Sequence, residues 1–206
     1  MEILVEGCAE RQVRPELGEL RLGLGHEGDD REFVVDLTSD LARRFSEAVA
    51  PLHPQAVVSW GLEPVRVCTW RSQRRGALRY RASAEATVVF RDFQALADFA
   101  VGWGAAPGVE VRHTSWKLTP ETEQKLEDEL LTEAVQAARR RADIMARAAG
   151  AEVNVCVELS DRRSDPQLAY GEAVAMAAAA PEGGGGVVEP DEIRRAVSVH
   201  GRFRTE

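Results

Sequence analysis

The chain has 206 residues, of which 44% are hydrophobic and 29% are charged, and this composition is typical of a soluble globular protein. The formal net charge of -8 argues against a general nucleic-acid binder and against adsorption to anionic lipid, because both need positive charge. The longest apolar run, AVAMAAAA, is too short to span a membrane. We therefore expect neither a nucleic acid nor a membrane as a partner.

The N-terminus and the cysteines favour a cytoplasmic protein. The opening residues MEILVEGCAERQV carry Glu2 and Glu6 where a signal peptide would carry basic residues. Cys8, Cys68 and Cys156 are odd in number and far apart, which predicts small buried residues in a reducing compartment rather than a disulfide framework or a zinc site.

The first half of the chain alternates between strand and helix patterns. Apolar residues alternate with polar ones in five segments, which predicts strands at 3–13, 20–24, 64–70, 78–90 and 109–118. Between them, apolar residues about four positions apart predict an amphipathic helix from Asp29 or Asp30, as N-cap, to about Pro51. A second helix is predicted at 92–103.

The second half contains the clearest element, a long helix at 119–150. Thr119 and Pro120 give an N-cap and a proline at the first helical position, and Gly150 suits the C′ position. The predicted inner stripe of this helix is Leu126, Leu130, Ala134, Ala138, Ala142 and Ala149. Strands are predicted at 152–159 and 197–203, with a flexible loop at 161–188 between them.

The predicted order is ββα-ββα-βα-ββ. Hairpins mixed with long crossovers indicate an α+β fold, with helices layered on a mixed, mostly antiparallel sheet. No change in composition marks a boundary, so we expect a single domain over 1–206.

The stretch GLGHEG, at 23–28, has the G-x-G-x-x-G form of a dinucleotide-binding turn. However, Leu20, Leu22 and Leu24 alternate with polar residues, which is typical of a half-exposed antiparallel strand and not of the buried parallel strand that such a turn follows. Asp29 and Asp30 would also repel a pyrophosphate. We interpret the stretch as a strand that leads into a helix, and we expect no nucleotide there.

Four segments, in this order, carry a resemblance to a known family. They are a first strand and turn (ILVEGCAERQVRPELGELRLGL), a middle strand and helix (LRYRASAEATVVFRDFQALADFAVGWGA), an alanine-repeat helix (EAVQAARRRADIMARAAG) and a final strand (VVEPDEIRRAVSVHGRFR). Together they resemble the SIMPL domain family over nearly the whole chain. Asp191 follows Pro190 where the family usually has glycine.

The resemblance implies an α+β fold and a tendency to form homo-oligomers, as some bacterial members do. One mammalian relative is a partner in kinase signalling. The resemblance implies no catalytic mechanism, because the residues that the family shares are turn glycines, prolines and packing alanines.

An arginine-rich hairpin is the best candidate binding site in the sequence. Trp70 and Tyr80 lie beside its arginines, which could bind an anion, an acidic partner surface or, by stacking, single-stranded nucleic acid. These candidate residues are Arg66, Arg71, Arg74, Arg75, Arg79 and Arg81. A solvated edge strand is the alternative interpretation, since charges at an edge prevent aggregation.

No residue pattern indicates catalysis, a cofactor or a metal. The four histidines are spread through the sequence without ligand spacing: His26, His53, His113 and His200. We therefore expect a non-enzymatic protein that self-associates and serves as a scaffold or binding module. The alternative is a small-molecule or anion-binding protein, or an enzyme, that uses the hairpin at 66–81.

Overall fold

The computed structural model describes residues 1–71, 78–161 and 189–206, and these form two compact units. The first unit comprises residues 1–14, 118–161 and 191–206. The second comprises residues 15–71, 78–117 and 189–190. No helix in the described ranges is long and apolar enough to cross a membrane.

The second unit is a five-stranded antiparallel sheet with helices on one face. Its strands are β2 (Leu17–Gly28), β3 (Val57–Leu62), β4 (Arg66–Arg71), β5 (Leu78–Phe90) and β6 (Val109–Lys117). β5 pairs with β2, and β2 pairs with β6, while β3 and β4 both pair with β5 along its other edge.

The helices of this unit are α1 (Arg31–Val49) and α2 (Phe93–Gly104). A short 3₁₀ turn (Ala50–Leu52) follows α1. Asp30 caps α1 by accepting hydrogen bonds from two backbone N–H groups of its first turn. Phe45 of α1 packs edge-on against Phe99 and Trp103 of α2, at centroid distances of 5.7 and 5.1 Å. The alternate leucines of β2 complete this core.

The first unit is a three-stranded antiparallel sheet with one long helix on one face. Its strands are β1 (Glu2–Val13), β7 (Val153–Asp161) and β8 (Ile193–Thr205), and β8 lies in the centre. The helix α3 (Pro120–Ala148) begins at the Thr119 N-cap and ends before Gly150, whose φ is +75°. Its buried stripe is Leu126, Leu130, Ala134, Ala138, Ala142 and Ala146.

The backbones of β1 and α3 lie in direct contact at Gly7. A Cβ atom on Gly7 would lie 2.1 Å from the carbonyl oxygen of Ala134 and 2.3 Å from the amide nitrogen of Ala138. Such distances are far inside van der Waals contact, so only glycine fits this position. Glycine on the strand and alanine on the helix thus set the distance between the two layers.

The structure confirms the α+β fold class and most of the predicted elements. It adds β3, which the sequence analysis missed, and it extends the second strand to Leu17–Gly28. Two details were wrong. Ala146 and not Ala149 belongs to the buried stripe of α3. Of the three cysteines predicted to be buried, Cys8 and Cys68 are exposed and Cys156 is half-buried. Apart from Asp161, which ends β7, the predicted loop at 161–188 lies outside the described residues. The single domain over 1–206 stays a prediction.

Replacing Gly7 with alanine should lower the free energy of unfolding by about 1–3 kcal/mol, because the added methyl group must push the backbone of β1 away from that of α3. Urea denaturation followed by circular dichroism measures this. Gly61→Ala is the matched control, since a Cβ there meets nothing within 4 Å. Equal stabilities of the two variants would contradict the close contact.

Candidate functional site

The glycine-rich stretch at 23–28 lies entirely within β2. β2 is antiparallel to both of its neighbours, β5 and β6, so the stretch forms no turn between a parallel strand and a helix. Asp30 is the N-cap of α1, whereas Asp29 accepts a hydrogen bond from Arg79 at 2.7 Å. The strand interpretation of GLGHEG is therefore correct.

These glycines instead form the floor of a groove on the helix-free face of the five-stranded sheet. The groove has a volume of about 290 Å³, and Gly23 and Gly25 lie in its lining. Arg81 and Ser83 of β5 and Arg112 of β6 line it as well. Arg112 crosses Gly23, since a Cβ there would lie 2.8 Å from the Arg112 Nε. Arg112 was not among the predicted site residues, because it sits at an irregularity in the pairing of β2 and β6.

The structure separates the predicted arginine cluster. Strand register places Arg66, Arg79 and Arg81 on the helix-free face and Arg71 on the opposite one. Arg74 and Arg75 lie outside the described residues.

Three of these arginines pair with acids of the same unit. Arg66 pairs with Glu63 at 2.9 Å, Arg79 with Asp29 at 2.7 Å and Arg81 with Glu27 at 3.5 Å. Their side chains are between 38% and 73% exposed, and ion pairs at such exposure contribute little to stability. A ligand could therefore replace them at small cost.

Among the residues that the structure describes, Glu19 is the one buried carboxylate on this face, since its side chain is only 8% exposed. Arg21 donates to it at 2.8 Å, and the Lys117 ammonium donates to its other oxygen. Burial acts to raise the pKa of Glu19, but the hydrogen bonds from Lys117 and Arg21 outweigh burial and hold the pKa below its usual value. The three side chains form a fixed charged cluster.

A second groove lies on the helix-free face of the three-stranded sheet. It has a volume of about 390 Å³ and brings together groups from all three strands. Its side chains come from Leu4, Glu6, Glu158, Ser160, His200 and Arg202. No sequence motif predicted this groove, because its members come from the two ends of the chain and from β7.

The acidic half of α3 pairs within its own unit. Arg11 of β1 binds both Glu129 and Glu133, and Arg195 of β8 binds Glu123 at 3.0 Å. Three glutamates of this helix thus form ion pairs with arginines of the sheet.

One comparison with known proteins decides the family. The family model SIMPL, described as "Protein of unknown function (DUF541)", matches residues 3–203. The chain belongs to the SIMPL family. A comparison with curated proteins finds no match.

The residues that carried the SIMPL resemblance have structural roles here. The alanine repeat is the buried stripe of α3, and Gly7 is the point where β1 contacts that stripe. His26, His113 and His200 lie in three different strands, β2, β6 and β8. In the described ranges, no group of three or more His, Cys, Asp or Glu residues could hold a metal ion.

The lowered pKa of Glu19 predicts a loss of stability in acid. In the unfolded chain a glutamate takes up its proton near pH 4.3, whereas folded Glu19 takes it up only at lower pH. The unfolded state therefore binds more protons in this range, so the free energy of unfolding falls as the pH drops below about 4.3.

Glu19→Gln should flatten the dependence of the unfolding free energy on pH between about 5 and 3. At pH 7 it should cost roughly 1–3 kcal/mol, because Lys117 and Arg21 lose their charged acceptor. Denaturant titrations at several pH values test this, with Glu47→Gln on the exposed face of α1 as the control. An unchanged slope in the Glu19 variant would refute the assignment.

Proposed function

We propose that this SIMPL protein is a non-enzymatic cytoplasmic protein that self-associates into a homo-oligomer and acts as a scaffold or binding module. The observation that carries the proposal is the apolar edge strand β7. The unpaired state of Cys8, Cys68 and Cys156 supports a reducing compartment. The structural roles of the family's shared residues support a function without catalysis.

β7 forms one edge of the three-stranded sheet and, in the described part of the chain, pairs only with β8. Val155, Val157 and Leu159 are 46%, 43% and 48% exposed along it. β7 contains neither lysine nor proline, which commonly protect edge strands, and its protection is limited to Glu158, Asp161 and two register shifts.

A second copy fits this edge better than an unrelated strand does. A two-fold axis brings the same apolar residues of two copies together, so that each β7 supplies the complement of the other. The register of β7 on β8 shifts after Val153 and again after Cys156. Such irregularities bend a strand, so we expect contact over a few residues around Val157 and not over the whole strand.

Val157→Lys should weaken self-association, because the lysine ammonium at the centre of the β7 edge would have to be buried against β7 of the second copy. Light scattering over a concentration series measures the molar mass. Val101→Lys is the matched control, since Val101 is 76% exposed on α2 and far from β7 in sequence. A wild-type protein that stays monomeric throughout the series would refute the proposal.

A second candidate function is the binding of a small anion in the groove over Gly23 and Gly25. The observation that favours it is the presence of Arg81 and Arg112 in the lining, beside the Ser83 hydroxyl. Glycines allow a ligand to approach the backbone closely, and guanidinium groups form strong hydrogen bonds with anions. Glu27 and Glu110 also line the groove, so the anion must displace their ion pairs.

Inorganic phosphate should raise the melting temperature of the wild type but not that of Arg81→Gln, because a ligand stabilises the folded state that binds it. Arg66→Gln is the control: Arg66 lies on the same face but outside the groove. Melting temperatures in sodium chloride at equal ionic strength show how much of the shift comes from general screening of charges. Equal shifts in both variants would refute this candidate.

A further inference from the structure

The groove on the three-stranded sheet has an ordered arrangement of side chains. Strand register places them in two rows, each of which runs from β1 through β8 to β7. The first row is Glu6, His200, Ser160, and the second row is Leu4, Arg202, Glu158. Acids, bases, a hydroxyl and one aliphatic side chain therefore lie on neighbouring positions of one sheet face.

Two charged groups in this groove are available to a ligand. The acids at both ends of β1 form ion pairs with arginines of β8, Glu2 with Arg204 and Glu10 with Arg194. Glu6 lies between them on the same face, and its neighbour across the strand is His200. Its carboxylate accepts a hydrogen bond from the Cys8 thiol but makes no arginine or lysine ion pair within the described ranges.

Arg202 is the second such group. Its Nη2 donates to Glu158 at 3.1 Å, whereas its Nε is buried and has no acceptor among the described residues. The Arg202 side chain as a whole is 42% exposed, so a ligand carboxylate in the groove can reach this guanidinium. The arrangement thus offers a carboxylate without an arginine or lysine partner beside a partly exposed guanidinium.

We propose that this groove binds a small zwitterion, an α-amino acid with an aliphatic side chain. A simple anion would be repelled by Glu6 and Glu158, and a simple cation would be repelled by Arg202. A molecule that carries both charges a short distance apart satisfies both groups. This proposal is independent of self-association through β7.

The spacing of the sheet fits such a ligand. Glu6 and Arg202 are diagonal neighbours on adjacent strands, a relation that separates residues by about 7–8 Å. A ligand ammonium on Glu6 and a ligand carboxylate on Arg202 and Ser160 span that distance. The aliphatic side chain then covers Leu4, which is 69% exposed. The volume of about 390 Å³ lies at the small end of ligand sites.

The proposal is tested by titrating the ¹⁵N-labelled full chain with three related probes and following amide shifts by NMR. L-leucine should bind with a dissociation constant of about 1 mM, since the groove is shallow. N-acetyl-leucine lacks the ammonium and leucinamide lacks the carboxylate, so each should bind at least about tenfold more weakly. Shifts should centre on β8 around His200. No saturable shift with L-leucine, or equal affinity for either capped probe, would overturn the proposal.

Matched variants locate the site. Glu6→Gln should weaken leucine binding at least about tenfold, because the ammonium loses its carboxylate. Glu10→Gln, four residues along the same strand face, should leave it unchanged. Melting curves of both variants show whether they are folded. Should Glu6→Gln fail to fold, Ser160→Ala provides the second test, with an expected threefold or greater loss. An equal effect of the Glu6 and Glu10 variants would overturn the assignment.

Discussion

The contact between Gly7 and the backbone of α3 determines which residues of the first unit can face a ligand. Side chains alternate along a strand, so a Gly7 that points at the helix places Ile3 and Val5 in the core and Leu4 and Glu6 on the opposite face. The antiparallel register with β8 then brings His200 and Arg202 beside them. The groove on this face is a consequence of how closely the strand packs against the helix on the other.

In the second unit, alternation along β2 divides the residues between the two faces of the sheet in the same way. Leu20, Leu22 and Leu24 are buried beneath the helices, which leaves Gly23 and Gly25 on the helix-free face. Without side chains at these positions, Arg112 can lie flat across β2 and reach Glu85 on the far strand. The glycines that resemble a nucleotide motif thus permit contacts between charged side chains of the two neighbouring strands.

The alternation of apolar and polar residues was sufficient to predict β1, β2, β5 and β8. For α3, the capping residues at its ends and its long apolar stripe were sufficient. β3 was missed because its exposed half, including Trp60 and Gly61, breaks the alternating pattern. The arginine hairpin was recognised as a strand pair, but its described arginines are divided between two faces, and Arg79 and Arg81 pair with acids that no local pattern connects to them. Glu27 and Asp29, for example, come from β2 and the segment after it.

Neither groove could be predicted, because both depend on the register between strands. Glu6 and His200 are nearly two hundred positions apart, and only the pairing of β1 with β8 makes them neighbours. Arg112 sits where the register of β2 and β6 shifts by one residue, so alternation along β6 cannot assign it to a face.

The distribution of charge indicates where on its surface this protein gains most from binding a ligand or a partner. The net charge of -8 describes the chain as a whole, yet on both helix-free faces most arginines have an acidic neighbour within ion-pairing distance. A face whose charges are already paired gains little from a charged partner, because each new contact replaces an existing one. Recognition therefore gains most where pairing is incomplete, as at Glu6, and where apolar side chains are exposed, as along β7. The two properties lie on the same three-stranded sheet, one on its open face and one at its edge. Because they use different residues, the proposed binding of a small ligand and the proposed pairing of two copies are compatible with each other.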